Sequence, residues 1–320
     1  MTKHTHYRQD ELAVINSAAE RLGIVREDEG IFLARQLDYV KARIYEAEIP
    51  QLTGLQLVPV STDVPAYAET FTYRTYTEVG MAKFIANYAD DLPRVDVEGK
   101  EETLRLKSLG DAYGYNYDEL RLSNALGTAL PERKGRAARR AIEQKINRVA
   151  LVGDTDYGFY GFTNHPNIGE TAINGNWTDP ATTGDQILDD LNAMYDAVLV
   201  QSFDNHIPNT LAVAPTRRSA LTTKRVSDSL GRSPWQMFVE QHPGVQMISS
   251  TELEADAAEG IESTAVMYER NVDNLSIEVP VPFEQLPAEK RNLEIVIDCL
   301  AKISGVAVYR PLALTKAVGV

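Results

Sequence analysis

The sequence predicts an α+β chain in which an N-terminal arm and a long β excursion precede a long helix and a mixed α/β domain. Three observations carry this prediction. Residues 69–79 alternate Phe71, Tyr73, Thr75, Thr77 and Val79 against Thr72, Arg74, Tyr76 and Glu78, the period of a half-buried strand. Ala138, Ile142, Ile146 and Val149 follow one another at helical spacing and form one apolar stripe. From Ile187 onward helical and strand-like stretches alternate, and the chain closes on strands.

Taken in order, Leu12, Ile15, Ala18, Ala19 and Leu22 lie at helical spacing before Gly23, and Leu33, Leu37, Val40, Ala42 and Ile44 lie among charges before Pro50. Residues 1–50 therefore read as an arm with few apolar partners of its own. Leu55 to Val60 reads as a strand. Arg94 to Glu98 alternates, Gly99-Lys100 supplies a turn, and Thr103 to Leu109 returns with Leu104 and Leu106 on one side. The excursion over 61–109 has few large apolar residues and no helix of the kind that covers a sheet. Phe71, Tyr73, Val79, Leu104 and Leu106 are thus expected to meet another part of an assembly.

Asp118 and Glu119 open a helical region running to about Val152, with interruptions at Pro131 and Gly135. Arg133, Lys134, Arg136, Arg139 and Arg140 crowd the start of its second half, a face that is either solvated or a contact for another subunit or nucleic acid. A loop rich in Gly, Asn and Pro follows Gly153. Helices are expected over Ile187–Val200, Pro215–Arg225 and Trp235–Gln241. Strands are expected over Thr210–Ala214, Val245–Ser249, Ala265–Tyr268, Ser276–Val279, Leu293–Ile297 and Val306–Tyr309. The divisions are an arm (1–50), the excursion with flanking strands (51–116), the long helix and its loop (117–180), an α/β domain (181–270) and returning strands (271–320).

The chemistry of the chain narrows its role. Its 46 acidic and 32 basic residues leave a formal charge of -14, which opposes approach to a polyphosphate over most of any exposed surface. A dedicated nucleic-acid binder is not expected, whereas a protein that encloses nucleic acid without gripping it suits that sign. The single Cys299 allows no intrachain disulfide and no cysteine cluster for zinc, and points to a reducing compartment. The N-terminal stretch lacks the apolar core of a signal peptide, and no apolar run has membrane-spanning length.

The chain carries few catalytic patterns. There is no Walker A loop, no dinucleotide-binding glycine pattern after a strand and no Gly-x-Ser-x-Gly elbow. His4, His6, His165, His206 and His242 include no helical His-Glu-x-x-His pair, and Cys299 sits in an apolar run where cysteine packs as a small hydrophobe. Asp154 and Asp156 resemble the start of a calcium loop without its later ligands. No catalytic residue, cofactor or metal site is assigned.

The succession of arm, excursion, long helix, Gly-rich loop and α/β domain resembles the major capsid proteins of tailed bacteriophages, which share the Hong Kong 97-type shell fold with encapsulins. Four segments carry the resemblance: YVKARIYEAEIPQLTGLQLVPVST, ETFTYRTYTEVGMAKFIANYADDLPRVDV, RAARRAIEQKINRVALVGDTDYGFYGFTNHPNI and VPVPFEQLPAEKRNLEIVIDCLAKISGVAVYRPLALTKAVGV. They are similar to the family's arm and first strand, its extended loop, its spine helix with the following loop, and its final strands and tail.

The resemblance implies a peripheral domain around the spine helix, an axial domain whose tips surround symmetry axes, and an extended loop lying over a neighbouring subunit. It implies hexamers and pentamers in an icosahedral shell around double-stranded DNA, assembled in the bacterial cytoplasm, with scaffold, portal and decoration proteins as further partners and no membrane. The stretch ahead of residue 30 is too short for a built-in scaffolding domain. Intersubunit candidates are Phe71, Tyr73, Val79, Leu104 and Leu106 in the loop and Arg136, Arg139 and Arg140 on the spine helix. The alternatives are an encapsulin-type compartment shell, a phage accessory or tail protein and, from another class, an enzyme with a scattered site on the α/β domain.

Overall fold

The computed structural model describes residues 51–79, 96–119, 121, 130–227, 230–254 and 262–320. The expected arm helices, and Arg94 and Val95, lie outside them. The first element is a helical turn, α1 (Gly54–Leu57), followed by the short strand β1 (Val60–Ser61), where local propensity suggests one strand. A distant contact decides the difference. The Gly54 N–H donates to Asn147 Oδ1 at 2.6 Å, which ties the turn to the long helix and caps its start.

Strands β2 (Thr70–Val79) and β3 (Asp96–Asn116) form an antiparallel ribbon running from Thr70 opposite Arg105 to Val79 opposite Asp96. Gly99 and Lys100 lie inside β3 and form no turn. Gly99 faces Tyr76, whose ring would lie 3.2 Å from a Cβ there, so the glycine leaves room for a cross-strand aromatic side chain. The second half of β3 runs into the body and pairs along its length with β13 (Glu294–Ser304). On its other side β13 pairs with β11 (Val281–Gln285) and β12 (Glu289–Arg291). The long pairing extends β13 well past the expected end at Ile297.

Helix α2 (Leu130–Leu151) packs on β3 and β13. Its stripe of Ala138, Ile142, Ile146 and Val149 is buried, as the spacing requires. Pro131 sits in its first turn, where the missing N–H costs nothing, and Gly135 lies within it, so neither interrupts the helix. The base of the excursion thus has the helical cover that the sequence reading denied it. After α2 the chain makes a tight hairpin of β4 (Gly153–Asp154) and β5 (Phe159–Tyr160). Gly153 adopts φ 83°, and a side chain on Gly161 would strike the Gly153 backbone, so both positions need glycine. A short strand, β6 (Gly169–Glu170), follows.

Helix α3 (Gly184–Ser202) starts with a capping box of Thr183 and Gln186. The preceding loop is pinned to it by Trp177, whose indole N–H donates to Asp190 Oδ2 at 2.9 Å. Then come β7 (Thr210–Val213), α4 (Pro215–Thr223), α5 (Pro234–Gln241), β8 (Gln246–Ser249) and β9 (Thr264–Tyr268). The chain ends through β10 (Leu275–Glu278), the β11 to β13 strands, β14 (Val306–Val308) and β15 (Leu314–Val318). One sheet has the order β6-β15-β9-β7-β8, and a second joins β1, β10 and β14.

Two apolar clusters share the β7/β9 pair. Ala212, Val266 and Tyr268 face the cluster under α2, with Phe162, Ile277 and Val306. Leu211, Val213, Ala265 and Met267 face the other, with Trp177, Leu191, Met194 and Phe238 from the helices. Both strands are therefore buried on both faces, which explains their unbroken apolar sequence.

Candidate assembly surfaces

The register of the ribbon sorts its side chains. One face carries Phe71 and Tyr73 opposite Leu104 and Glu102, and the other carries Thr72 and Arg74 opposite Thr103 and Glu101. The second face is polar and exposed, with the two threonine hydroxyls 2.8 Å apart and Arg74 Nε 2.7 Å from Glu101. The first face is the one the alternation selects as apolar.

At its base this face is held by the chain itself. The Tyr73 ring meets Tyr309 edge-on, with centroids 4.8 Å apart, and its hydroxyl donates to Glu102 and lies 3.3 Å from the Val308 carbonyl. Burial, reinforced by the Glu102 carboxylate, holds the Tyr73 phenol well above its ordinary range. Hydrogen bonds from Lys100 and then Tyr73 hold Glu102 below the usual carboxylate range. His165 is buried nearby with its ring against Tyr160, and accepts the Asn167 N–H on Nδ1 at 3.2 Å. Burial lowers its pKa to about 4, against the opposing pull of the Glu102 charge.

Leu106 is only 4% exposed within its own subunit, so it is corrected from a contact candidate to an internal packing residue. The physical reason is that β3 continues past the ribbon into the sheet under α2. Phe71, Tyr73 and Leu104 are half-buried, and the Val79 side chain lies outside the described residues.

On α2, Arg136, Arg139 and Arg140 are exposed. Arg139 Nε donates to Glu143 at 2.8 Å, and its guanidinium lies 5.9 Å from the Phe283 ring centre. Arg136 and Arg139 border a groove of ≈ 550 Å³ floored by Tyr113, Tyr115 and Phe283. Lys134 Nζ lies 5.5 Å from the Tyr115 ring centre and donates to the Gly114 carbonyl at 2.7 Å. Burial pushes the Tyr113 phenol up to about 12. The basic cluster is legible in the sequence; the aromatic floor is not, because it forms only where β3, β11 and α2 converge.

A cleft of ≈ 980 Å³ beside α2 contains Lys145, Asp154, Glu170 and Lys316, engaged in the pairs Lys145–Asp154 at 2.6 Å and Lys316–Glu170 at 3.1 Å. Cys299 is buried, and burial raises its thiol pKa, the reverse of what an active thiolate needs. Among the described residues no group of three or more His, Cys, Asp or Glu side chains is placed to hold a metal, and no described helix is long and apolar enough to cross a membrane.

A ribbon projecting from a helix-covered sheet, joined to an α/β lobe with a doubly buried centre, is the Hong Kong 97-type shell fold. The chain is similar to a chain of the capsid of Myoviridae phage XM1, with a TM-score of 0.78 at 18% identity over 92% of this chain and 100% of that one. It is similar to the capsid of the native GTA particle, with a TM-score of 0.61 at 12% identity over 89% of this chain and 96% of that one. A chain from Mycobacterium phage Bobi gives 0.60 at 15% identity, covering 89% and 96%. No curated protein matches the sequence. The family model described as major capsid protein matches residues 80–320. The chain belongs to the major capsid protein family and is a structural protein of the capsid shell.

Proposed function

We propose that copies of this chain assemble into hexamers and pentamers, and these into a closed icosahedral shell around a double-stranded DNA phage genome. The observation that carries this reading is the ribbon. Beyond its base, Thr75 and Tyr76 are exposed, and a strand pair of this length has no independent reason to persist alone in water. A neighbouring subunit would supply the missing cover. Phe71, Tyr73, Leu104 and Val79 are proposed to share in that contact, and Arg136, Arg139 and Arg140 to form a second one. In this reading α2 and its sheet form the peripheral domain, and 181–270 form the axial domain around the symmetry axes. The family supports a place in the virion capsid; assembly in the host cytoplasm with scaffold, portal and decoration partners belongs to the proposal.

The net charge of -14 supports enclosure of DNA without tight binding by the free subunit. Light scattering and negative-stain microscopy of the purified protein test assembly. Rings and closed particles are expected; a monomer or simple dimer under every assembly condition contradicts the reading. Particles from infected cells should contain DNA, and particles filled with one cargo protein would favour a compartment shell instead.

A further inference from the structure

Helix α3 buries Ile187, Leu191, Met194 and Val198 and turns a different stripe to solvent. Asp189, Ala193, Asp196, Val200 and Phe203 recur at spacings of three and four and are all exposed. The stripe is acidic at one end and apolar at the other. Val200 is 74% and Phe203 87% exposed, large values for side chains that gain by burial. Phe203 and the following Asp204 are both left-handed, with φ of 53° and 61°, a conformation unfavourable for residues with a Cβ. Ile207 is also exposed and extends the apolar end.

A surface of complementary chemistry lies on α2. Five of the chain's 32 basic residues fall within Arg133–Arg140, in a protein whose overall charge is negative. Arg133 and Arg140 are exposed, and the aromatic groove beside them is bordered by Arg136 and Arg139. The charged parts agree in length: at 1.5 Å per residue, Asp189 to Asp196 and Arg133 to Arg140 each span ~10 Å. Copies with a net charge of -14 repel one another unless their contact brings opposite local charges together. Two different surfaces of one chain that complement each other form a heterologous contact, the kind that closes rings.

We propose that the acidic and apolar stripe of α3 in one subunit docks on the basic stretch of α2 and its aromatic groove in the next. Asp189 and Asp196 face the arginines, and Phe203 supplies the apolar anchor for the ring-floored groove. This contact rests on the shell reading above and names a surface within it that is separate from the ribbon.

The test is charge reversal with rescue, read by particle yield at fixed protein concentration. Asp189→Lys with Asp196→Lys, and separately Arg133→Glu with Arg140→Glu, should leave the circular dichroism and unfolding midpoint of the subunit unchanged. Each pair should lower the yield by roughly tenfold or more, the consequence of a modest loss at every repeated contact. All four changes in one chain should restore most of the yield, because the stripes are complementary again with signs exchanged. Should a reversed variant unfold, Asp196→Asn and Arg140→Gln give the same comparison with a smaller loss. Wild-type yield from both reversed variants overturns the contact while leaving the shell reading intact. Loss in both without recovery in the combined variant overturns the pairing. A wild-type protein that forms no rings or particles fails the shell reading itself.

Discussion

The β7/β9 pair and the β2/β3 ribbon are both built from strands with strong β formers, but their surroundings differ in kind. Every residue of β7 and β9 is buried, with Ala212, Val266 and Tyr268 against the cluster under α2 and Leu211, Val213, Ala265 and Met267 against the helices of the other lobe. The ribbon has one polar exposed face and one face that Tyr309 and the body sheet cover near its base, beyond which Thr75 and Lys100 are exposed. Burial within the subunit stabilises the first pair. In the described part of the ribbon beyond Tyr73, Arg74, Thr75 and Tyr76 are exposed. On the proposed reading the contrast teaches that stability and assembly are carried by separate strands of the same chain, so they should be open to separate disturbance.

The largest effect is expected where the doubly buried lobe is opened. Trp177→Ala removes a fully buried ring and leaves Asp190 without its indole partner, which should cost about 3–5 kcal/mol in urea unfolding of the soluble subunit. A loss below about 1 kcal/mol would break the comparison on its buried side.

A medium effect is expected at the junction between ribbon and body as a function of pH. The folded state holds His165 near 4 instead of an ordinary 6.5, so the unfolded chain takes up a proton first as the pH falls. The contribution of His165 should therefore decline from pH 6.5 to about 4 and level off below that. Glu102, whose folded pKa is lowered, acts in the same direction at the acid end. His165→Gln should flatten the upper part of the decline, and an unchanged slope would remove His165 from the cause. The smallest effect belongs to the ribbon base. Tyr73→Phe keeps the ring on Tyr309 but loses the hydroxyl contacts, a cost of about 0.5–1.5 kcal/mol, with faster amide exchange in β2 as the sharper readout.

Much of this division is legible in the sequence where periodicity is local. Ala138, Ile142, Ile146 and Val149 announce a buried helix face, and the alternation from Phe71 to Val79 announces the ribbon and selects its apolar side. The misreadings all involve partners distant in sequence. Gly54 begins a helical turn because Asn147 receives its N–H, and Gly99 continues a strand because Tyr76 lies across from it. Leu106 has the same pattern as Leu104, yet only the point at which β3 enters the body sheet decides that one is buried and the other half-exposed. The α3 stripe is present as a spacing, but which face of that helix stays open depends on β9 and α5 covering the other.

The most direct measurement shortens the ribbon. Tyr76 and Gly99 are register partners, so a short Gly-Ser turn joining them leaves the pairing from Thr70 to Thr75 in place. The shortened protein should match the wild type in circular dichroism and in urea midpoint while yielding no closed particles under conditions where the wild type forms them. Particles at wild-type yield from the shortened chain would contradict the assignment of the ribbon to assembly.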